Sequence, residues 1–84
     1  MNDIEFSDNV YDLMEQVGVT EDEVREVVNN QEHTVLKDIP DDPIKVVEAP
    51  VDGHTVRVVY STKPKDFGAG YGGDAVVIST NVSD

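Results

Sequence analysis

Five residues near the middle of the chain have side chains that suit chemistry on an anion such as a phosphate. His54, Arg57 and Tyr60 recur at a spacing of three, and Lys63 and Lys65 follow shortly after. Arginine and lysine can hold a phosphate, while histidine and tyrosine can move the protons that RNA cleavage requires. If the chain is a nuclease, His54, Arg57 and Tyr60 are therefore the predicted catalytic residues. Their spacing alone is not diagnostic of any reaction.

The same cations also fit a structural role in a β-sheet. Opposite charges on neighbouring strands commonly pair across an exposed sheet face. In this interpretation Arg57 and Lys45 are the cross-strand partners of Glu48 or Asp52. We favour the structural interpretation of these cations over the catalytic one.

Three glycines, Gly68, Gly70 and Gly73, spell G-x-G-x-x-G, the pattern of a dinucleotide-binding loop. Such a loop binds a pyrophosphate because it follows a strand and opens a helix, whose first amides hold the phosphates. Here the glycines precede DAVVIST, a stretch typical of a strand because it is rich in β-branched residues. The sequence therefore predicts no nucleotide site, and no cofactor of any kind is predicted.

Residues 63–73 are instead predicted to form a flexible loop that closes a hairpin between two neighbouring strands. Hairpin loops usually have about two to five residues, and longer loops are often functional or disordered. This loop combines cations with aromatic rings, so Lys63, Lys65, Phe67 and Tyr71 are the predicted binding residues. The alternatives are a loop without a role and a cover that closes over a small ligand.

Metal, DNA and membrane binding are not predicted. His33 and His54 show no metal-ligand spacing, and DIPDDP lacks the glycine and the Asp/Asn alternation of a calcium loop. The second predicted helix is too acidic to approach DNA phosphates. The longest apolar stretches have about four residues, far fewer than the ~20 that span a bilayer. Because MNDIEFSDNV also lacks the basic and apolar regions of a secretory signal, we expect a cytoplasmic protein.

The chain is strongly acidic and short. It has 84 residues, no cysteine, a formal net charge of -12 and a pI of about 4.2. Such a charge opposes compaction by self-repulsion unless salt screens it. We therefore expect a halophilic protein whose fold loosens at low salt and is restored by potassium chloride.

Hydrophobic periodicity predicts one α+β domain over residues 1–84. Its core is a two-helix hairpin packed on an antiparallel four-stranded sheet, and NDIEF fits a short additional strand at the N-terminus. Thr20 and Glu23 form a capping box for the second helix, and Asp52-Gly53 is a strong hairpin signal. The predicted helices cover about 8–17 and 20–30, and the predicted strands about 33–38, 44–50, 54–62 and 74–81.

The stretch FSDNVYDLMEQVGVTEDEVREVVNNQE resembles the opening of a small prokaryotic family of uncharacterised domains, often grouped with RelE- and BrnT-like toxins. The segments GHTVRVVYS and AVVIST are similar to two later strands of that family. The resemblance implies a RelE-like β-α-α-β-β-β-β fold and an RNA-cleaving activity. Asn9 stands where the family has a histidine, and neither Leu13 nor Gln16 and Val17 supply its arginines. Only Arg57 matches a cationic position of the family.

Three hypotheses for function follow from these features. The preferred one is a non-catalytic interaction domain that binds another protein or a second copy of itself, because the helical histidine and arginines are missing. The alternative is a RelE/BrnT-like ribonuclease toxin that acts through Arg57, His54 and Tyr60 and has RNA as its partner. A small-ligand module closed by the glycine loop is the third.

Overall fold

The computed structural model describes residues 3–83, which form two α-helices, five β-strands and one turn of 3-10 helix. The strands form a single sheet in the order β1-β5-β4-β3-β2, antiparallel throughout except that β1 runs parallel to β5. The predicted α+β class, with a helical hairpin on a mostly antiparallel sheet and a short N-terminal strand, is confirmed. The elements in chain order are β1 (Ile4–Phe6), α1 (Asp8–Val17), α2 (Glu21–Asn29), β2 (Thr34–Lys37), β3 (Ile44–Val51), β4 (His54–Ser61), the 3-10 turn (Pro64–Phe67) and β5 (Ala75–Ser83).

The helix ends follow local signals in the sequence. Gly18 ends α1 in the left-handed conformation, with φ of +77°, as glycine at this position commonly does. Thr20 caps α2 through a complete capping box, in which its hydroxyl accepts from the Glu23 amide and Glu23 accepts from the Thr20 amide. The two helices are therefore joined by a tight connection and form the predicted hairpin.

Both helices pack on one face of the sheet. Helix α1 lies mainly against β5, and α2 lies against β3 and β4. Valine dominates the interior because alternate residues of each strand point toward the helices. Strand β2 contributes no residue to this core. The buried core residues are Ile4, Phe6, Val10, Met14, Val19, Val24, Val27, Val28, Val47, Ala49, Val51, Val56, Val58, Tyr60, Ala75 and Val77.

The β4–β5 pairing contains a bulge that shifts the register of β5 by one residue. Val59 lies opposite Ser79 and Tyr60 lies opposite Val77, so Ile78 is the extra residue.

Alternation predicts that only Ala75 and Val77 are buried, yet Val76 between them is also fully buried. Val76 is not part of the helix-side core, which means that another segment covers it on the second face of the sheet.

Within residues 3–83, neither helix has the length and apolar content needed to cross a bilayer.

Candidate interaction surface

The three candidate nuclease residues do not come together. They lie on β4, where alternation directs Tyr60 toward the helices and Arg57 toward the second face of the sheet. His54 begins the strand and lines a crevice of about 320 Å³ beside the turn between the helices. At the rise of an extended strand, His54 and Tyr60 are about 20 Å apart. No single substrate atom can contact all three side chains.

Arg57 takes part in a cross-strand ion pair. It lies directly opposite Glu48 on β3, and its guanidinium is 3.3 Å from the Glu48 carboxylate. This is the pairing that the structural interpretation predicts. Lys45 differs from that interpretation, because it contacts Asp38 at 2.7 Å and not Glu48 or Asp52.

Tyr60 is poorly suited to accept a proton. Burial raises the pKa of its phenol above the ordinary value, and the negative charge of Asp38 raises that pKa further. The phenol therefore stays protonated at neutral pH. Its ring is part of the hydrophobic core, so a structural role accounts for Tyr60.

The glycine-rich segment, residues 63–73, is attached to the face of the sheet that is opposite the helices. Glu5, Val76 and Ser61 form one row across β1, β5 and β4. The Gly72 amide donates to the Glu5 carboxylate at one end of this row. At the other end the Lys63 amide donates to the Ser61 hydroxyl at 3.1 Å. The segment thus covers Val76, which explains why this valine is fully buried.

Tyr71, a predicted binding residue, has a structural partner. The Asp8 amide at the start of α1 donates to its hydroxyl at 3.1 Å. The Ser7 side chain makes no capping bond to this helix, and Tyr71 satisfies one of the first amides of the helix, which have no partner within it. Phe67 is 43% exposed, and it lines, together with Tyr71, a crevice of about 370 Å³ beside Ser7.

Lys63 and Lys65 line a second cleft, of about 420 Å³, together with Gly72 and Gly73. Among residues 3–83 neither lysine forms an ion pair. Asp66 lines the same cleft, so its charge is mixed. The four predicted binding residues are therefore divided between two neighbouring clefts. The flexibility of 63–73 stays a prediction, although the segment contains a 3-10 turn and the contacts described above.

Replacing Gly73 by alanine is expected to lower the free energy of unfolding by about 1–3 kcal/mol. Gly73 has φ of +76°, and an added Cβ would lie 2.7 Å from the Asp3 carbonyl oxygen, which already accepts from the Asp74 amide. Urea denaturation at fixed salt measures the change. Gly70→Ala is the matched control, since its Cβ meets no atom within 4 Å. Equal midpoints for both variants would contradict this prediction.

Three of the five large hydrophobic side chains that are exposed among residues 3–83 lie along the edge strand β2, and the other two are Tyr11 and Phe67. Val35 and Leu36 are 51% and 44% exposed, and Ile39 just beyond the strand is 53% exposed. The opposite edge differs, since Ile4 and Phe6 of β1 are both buried. We call β2 together with Ile39 the β2 edge. Sequence reasoning predicted a strand here but did not single out its apolar residues; the signal was three apolar residues close together in TVLKDI.

A shallow crevice of about 280 Å³ runs beside the β2 edge on the helix side of the sheet. Val35, Val47 and Tyr60 form its apolar part, and Lys45 and Asp38 border it. It offers an apolar recess next to exposed side chains. The edge and the crevice together can receive a strand from another chain and a side chain carried by that strand.

Unpaired acids flank the β2 edge. Lys37 pairs with Asp42 at 3.1 Å, and Lys45 pairs with Asp38. The Asp42 carboxylate also accepts from the Ile44 amide, and this bond, together with Lys37, holds its pKa below the ordinary value. Within residues 3–83, the exposed carboxylates of Glu32 and Asp41 have no ion-pair partner. Negative charge is therefore uncompensated at both ends of the strand.

No three potential metal ligands cluster anywhere in the part of the chain that the structure describes.

In comparisons with family models, with curated proteins and with solved structures, nothing matches this chain. The resemblance to RelE- and BrnT-like domains stays a prediction.

Proposed function

We propose that this chain is a non-catalytic, acidic protein-interaction domain of a halophilic cytoplasm, and that it binds its partner through the β2 edge. The observation that carries the proposal is the exposure of Val35, Leu36 and Ile39 on a strand with one free side. A sheet edge presents unpaired backbone groups that pair readily with another chain. Apolar side chains on that edge add favourable burial when a partner covers them.

A RelE/BrnT-like ribonuclease is the second candidate, favoured by the family resemblance and by the accessibility of Arg57, whose side chain is 47% exposed. The separation of Arg57 from Tyr60 on opposite faces argues against it. The net charge of -12 also opposes RNA binding at low salt, because the phosphates are themselves negative.

One experiment tests both candidates. The tagged wild type, Leu36→Lys and Arg57→Ala are expressed in a halophilic host, and growth, RNA integrity and co-purifying proteins are measured. We expect intact RNA, normal growth, and one stoichiometric partner that the wild type and Arg57→Ala retain and Leu36→Lys loses. Lysine at position 36 places a charge on the edge, which opposes strand pairing.

The result that would overturn the proposal is growth arrest with RNA cleavage that Arg57→Ala abolishes. A partner retained equally by all three proteins would place the interaction away from the β2 edge. The direct titration of purified partner against each variant, with folding verified by circular dichroism, separates lost binding from lost structure.

A further inference from the structure

We infer that the β2 edge binds an extended segment of a different protein, with apolar residues at its centre and lysine or arginine at both ends. The segment adds as a sixth strand beside β2 in the five-stranded sheet. This inference rests on the proposed function and specifies the chemistry of its partner.

The unpaired backbone groups of β2 favour a partner segment in extended conformation. Among residues 3–83 only β3 pairs with β2, over Thr34–Lys37, so alternate residues direct their N–H and C=O groups away from the sheet. A helix presents no free backbone groups along its length to satisfy them, whereas an added strand does. Four residues of strand span about 14 Å, which sets the length of the central part of the occupant.

The side chains of the β2 edge set the composition of that centre. Val35 and Leu36 follow each other in the strand, and each is about half exposed. Apolar side chains of the added strand would bury them, and one would enter the crevice lined by Val35 and Val47. Removing this apolar surface from water favours binding.

The charges that flank β2 indicate which residue types stand at the two ends of the partner segment. Glu32 stands two positions before the strand, and Asp41 stands four positions after it. Neither has an ion-pair partner among the described residues. Lysine or arginine at both ends of the added strand would pair with these two carboxylates, whichever direction the strand runs.

A second copy of this chain fits the β2 edge less well than a basic segment of another protein does. Antiparallel pairing of two β2 strands would bring Glu32 of one copy beside the acidic end of β2, near Asp41, in the other. These are like charges, and directly opposed like charges are destabilising. Each copy also carries a net charge of -12. A basic segment of another protein meets neither obstacle.

A synthetic peptide tests the inference directly. The probe has two lysines at each end and alternating valine and threonine between them, nine residues in all, with blocked termini. It is titrated into the ¹⁵N-labelled full chain at about 0.5 M KCl, where the Debye length is roughly 4 Å and contact ion pairs persist. We expect saturable shifts centred on the amides of Thr34–Lys37, and at least tenfold weaker binding to Leu36→Lys.

Charge-matched variants separate local from global electrostatics. Glu32→Gln with Asp41→Asn should weaken peptide binding about fivefold, which corresponds to two surface ion pairs. Asp41 has φ of +68°, and asparagine tolerates that conformation. Asp12→Asn with Glu15→Gln changes the net charge equally but lies on exposed positions of α1, so it should leave the affinity unchanged.

Three results would overturn the inference. They are equal binding of a peptide with glutamates in place of the lysines, equal binding to Leu36→Lys, and a dimer in light scattering that Leu36→Lys converts to monomer. A Leu36-dependent natural partner without a basic extended segment would also overturn it, while leaving the proposed function intact. RNA cleavage that requires Arg57 would instead remove the proposed function itself.

Discussion

Raising potassium chloride from about 10 mM to 1 M is expected to increase the free energy of unfolding of this protein by about 5 kcal/mol. The cause is the net charge of -12 confined to a molecule with a radius of gyration of 12.0 Å. The Debye length falls from about 30 Å to about 3 Å over this range of salt. At low salt the excess negative charges therefore repel one another across the whole fold, and at high salt only near neighbours interact.

The magnitude follows from the difference in size between the folded and unfolded states. The unfolded chain has a radius of gyration of about 28 Å, so its charges lie further apart and repel less. We treat the folded and the unfolded state as two charged spheres with these dimensions. The repulsion energy of the folded state exceeds that of the unfolded state at both salt concentrations, but the excess is about 5 kcal/mol smaller at 1 M than at 10 mM. Since small domains are stable by only about 5–15 kcal/mol, dilute buffer is expected to leave much of the population unfolded.

Thermal and urea denaturation followed by circular dichroism, at a series of potassium chloride concentrations, measures this effect. The control replaces three exposed acids of the helices, Asp12, Glu15 and Glu26, by their amides. The net charge then changes from -12 to -9, and because repulsion scales with the square of charge, the salt effect should fall to roughly half. An unchanged melting temperature across the series would contradict the prediction, and an equal salt effect in the variant would exclude repulsion as its cause.

Features that depend on neighbouring residues in the chain could be predicted from the sequence. The capping box of Thr20 and Glu23 forms as predicted, because both partners lie within one helical turn. The Asp52-Gly53 turn joins β3 and β4, and both residues have positive φ, as a two-residue hairpin of this type requires. The alternation of β4 also directs Arg57 and Tyr60 to opposite faces of the sheet, so their separation follows from their spacing in the sequence alone.

Contacts between distant segments could not be predicted in this way. The glycine content of residues 63–73 indicates a loose loop, yet Tyr71 bonds to the Asp8 amide and Gly72 bonds to Glu5. These bonds depend on β1 lying beside β5, which no local pattern encodes. The exposure of Leu36 likewise depends on the order of strands in the sheet, since the same sequence in a central strand would be buried.

Replacing Phe6 by alanine is expected to lower the free energy of unfolding by about 3–5 kcal/mol. Phe6 is 5% exposed, and it joins β1 to both helices. Its ring lies 5.8 Å from that of Tyr11 on α1, and the Arg25 guanidinium of α2 lies 4.9 Å from its centre. Alanine leaves a cavity at this junction and also removes a cation–π contact worth about 0.5–1 kcal/mol.

Urea denaturation at about 1 M potassium chloride measures the loss, because salt keeps the wild type well folded. Phe67→Ala is the matched control: it removes an identical side chain from a position that is 43% exposed, and it should change stability by less than about 1 kcal/mol. Phe6→Leu should cost roughly 1–2 kcal/mol, since leucine fills part of the cavity. Equal stability of the two alanine variants would contradict the prediction.

The same substitution connects the core to the glycine segment. Two of the hydrogen bonds that hold that segment have their acceptors on or beside β1: the Asp3 carbonyl, just before the strand, accepts from the Asp74 amide, and the Glu5 carboxylate accepts from the Gly72 amide. When β1 loses the Phe6 ring, these two bonds should weaken together with it, because β1 positions both acceptors. In hydrogen exchange, the Gly72 and Asp74 amides of Phe6→Ala should therefore lose protection before the amides of β4 do, since β4 is paired on both sides. Unchanged protection at Gly72 and Asp74 would show that the segment is held independently of β1.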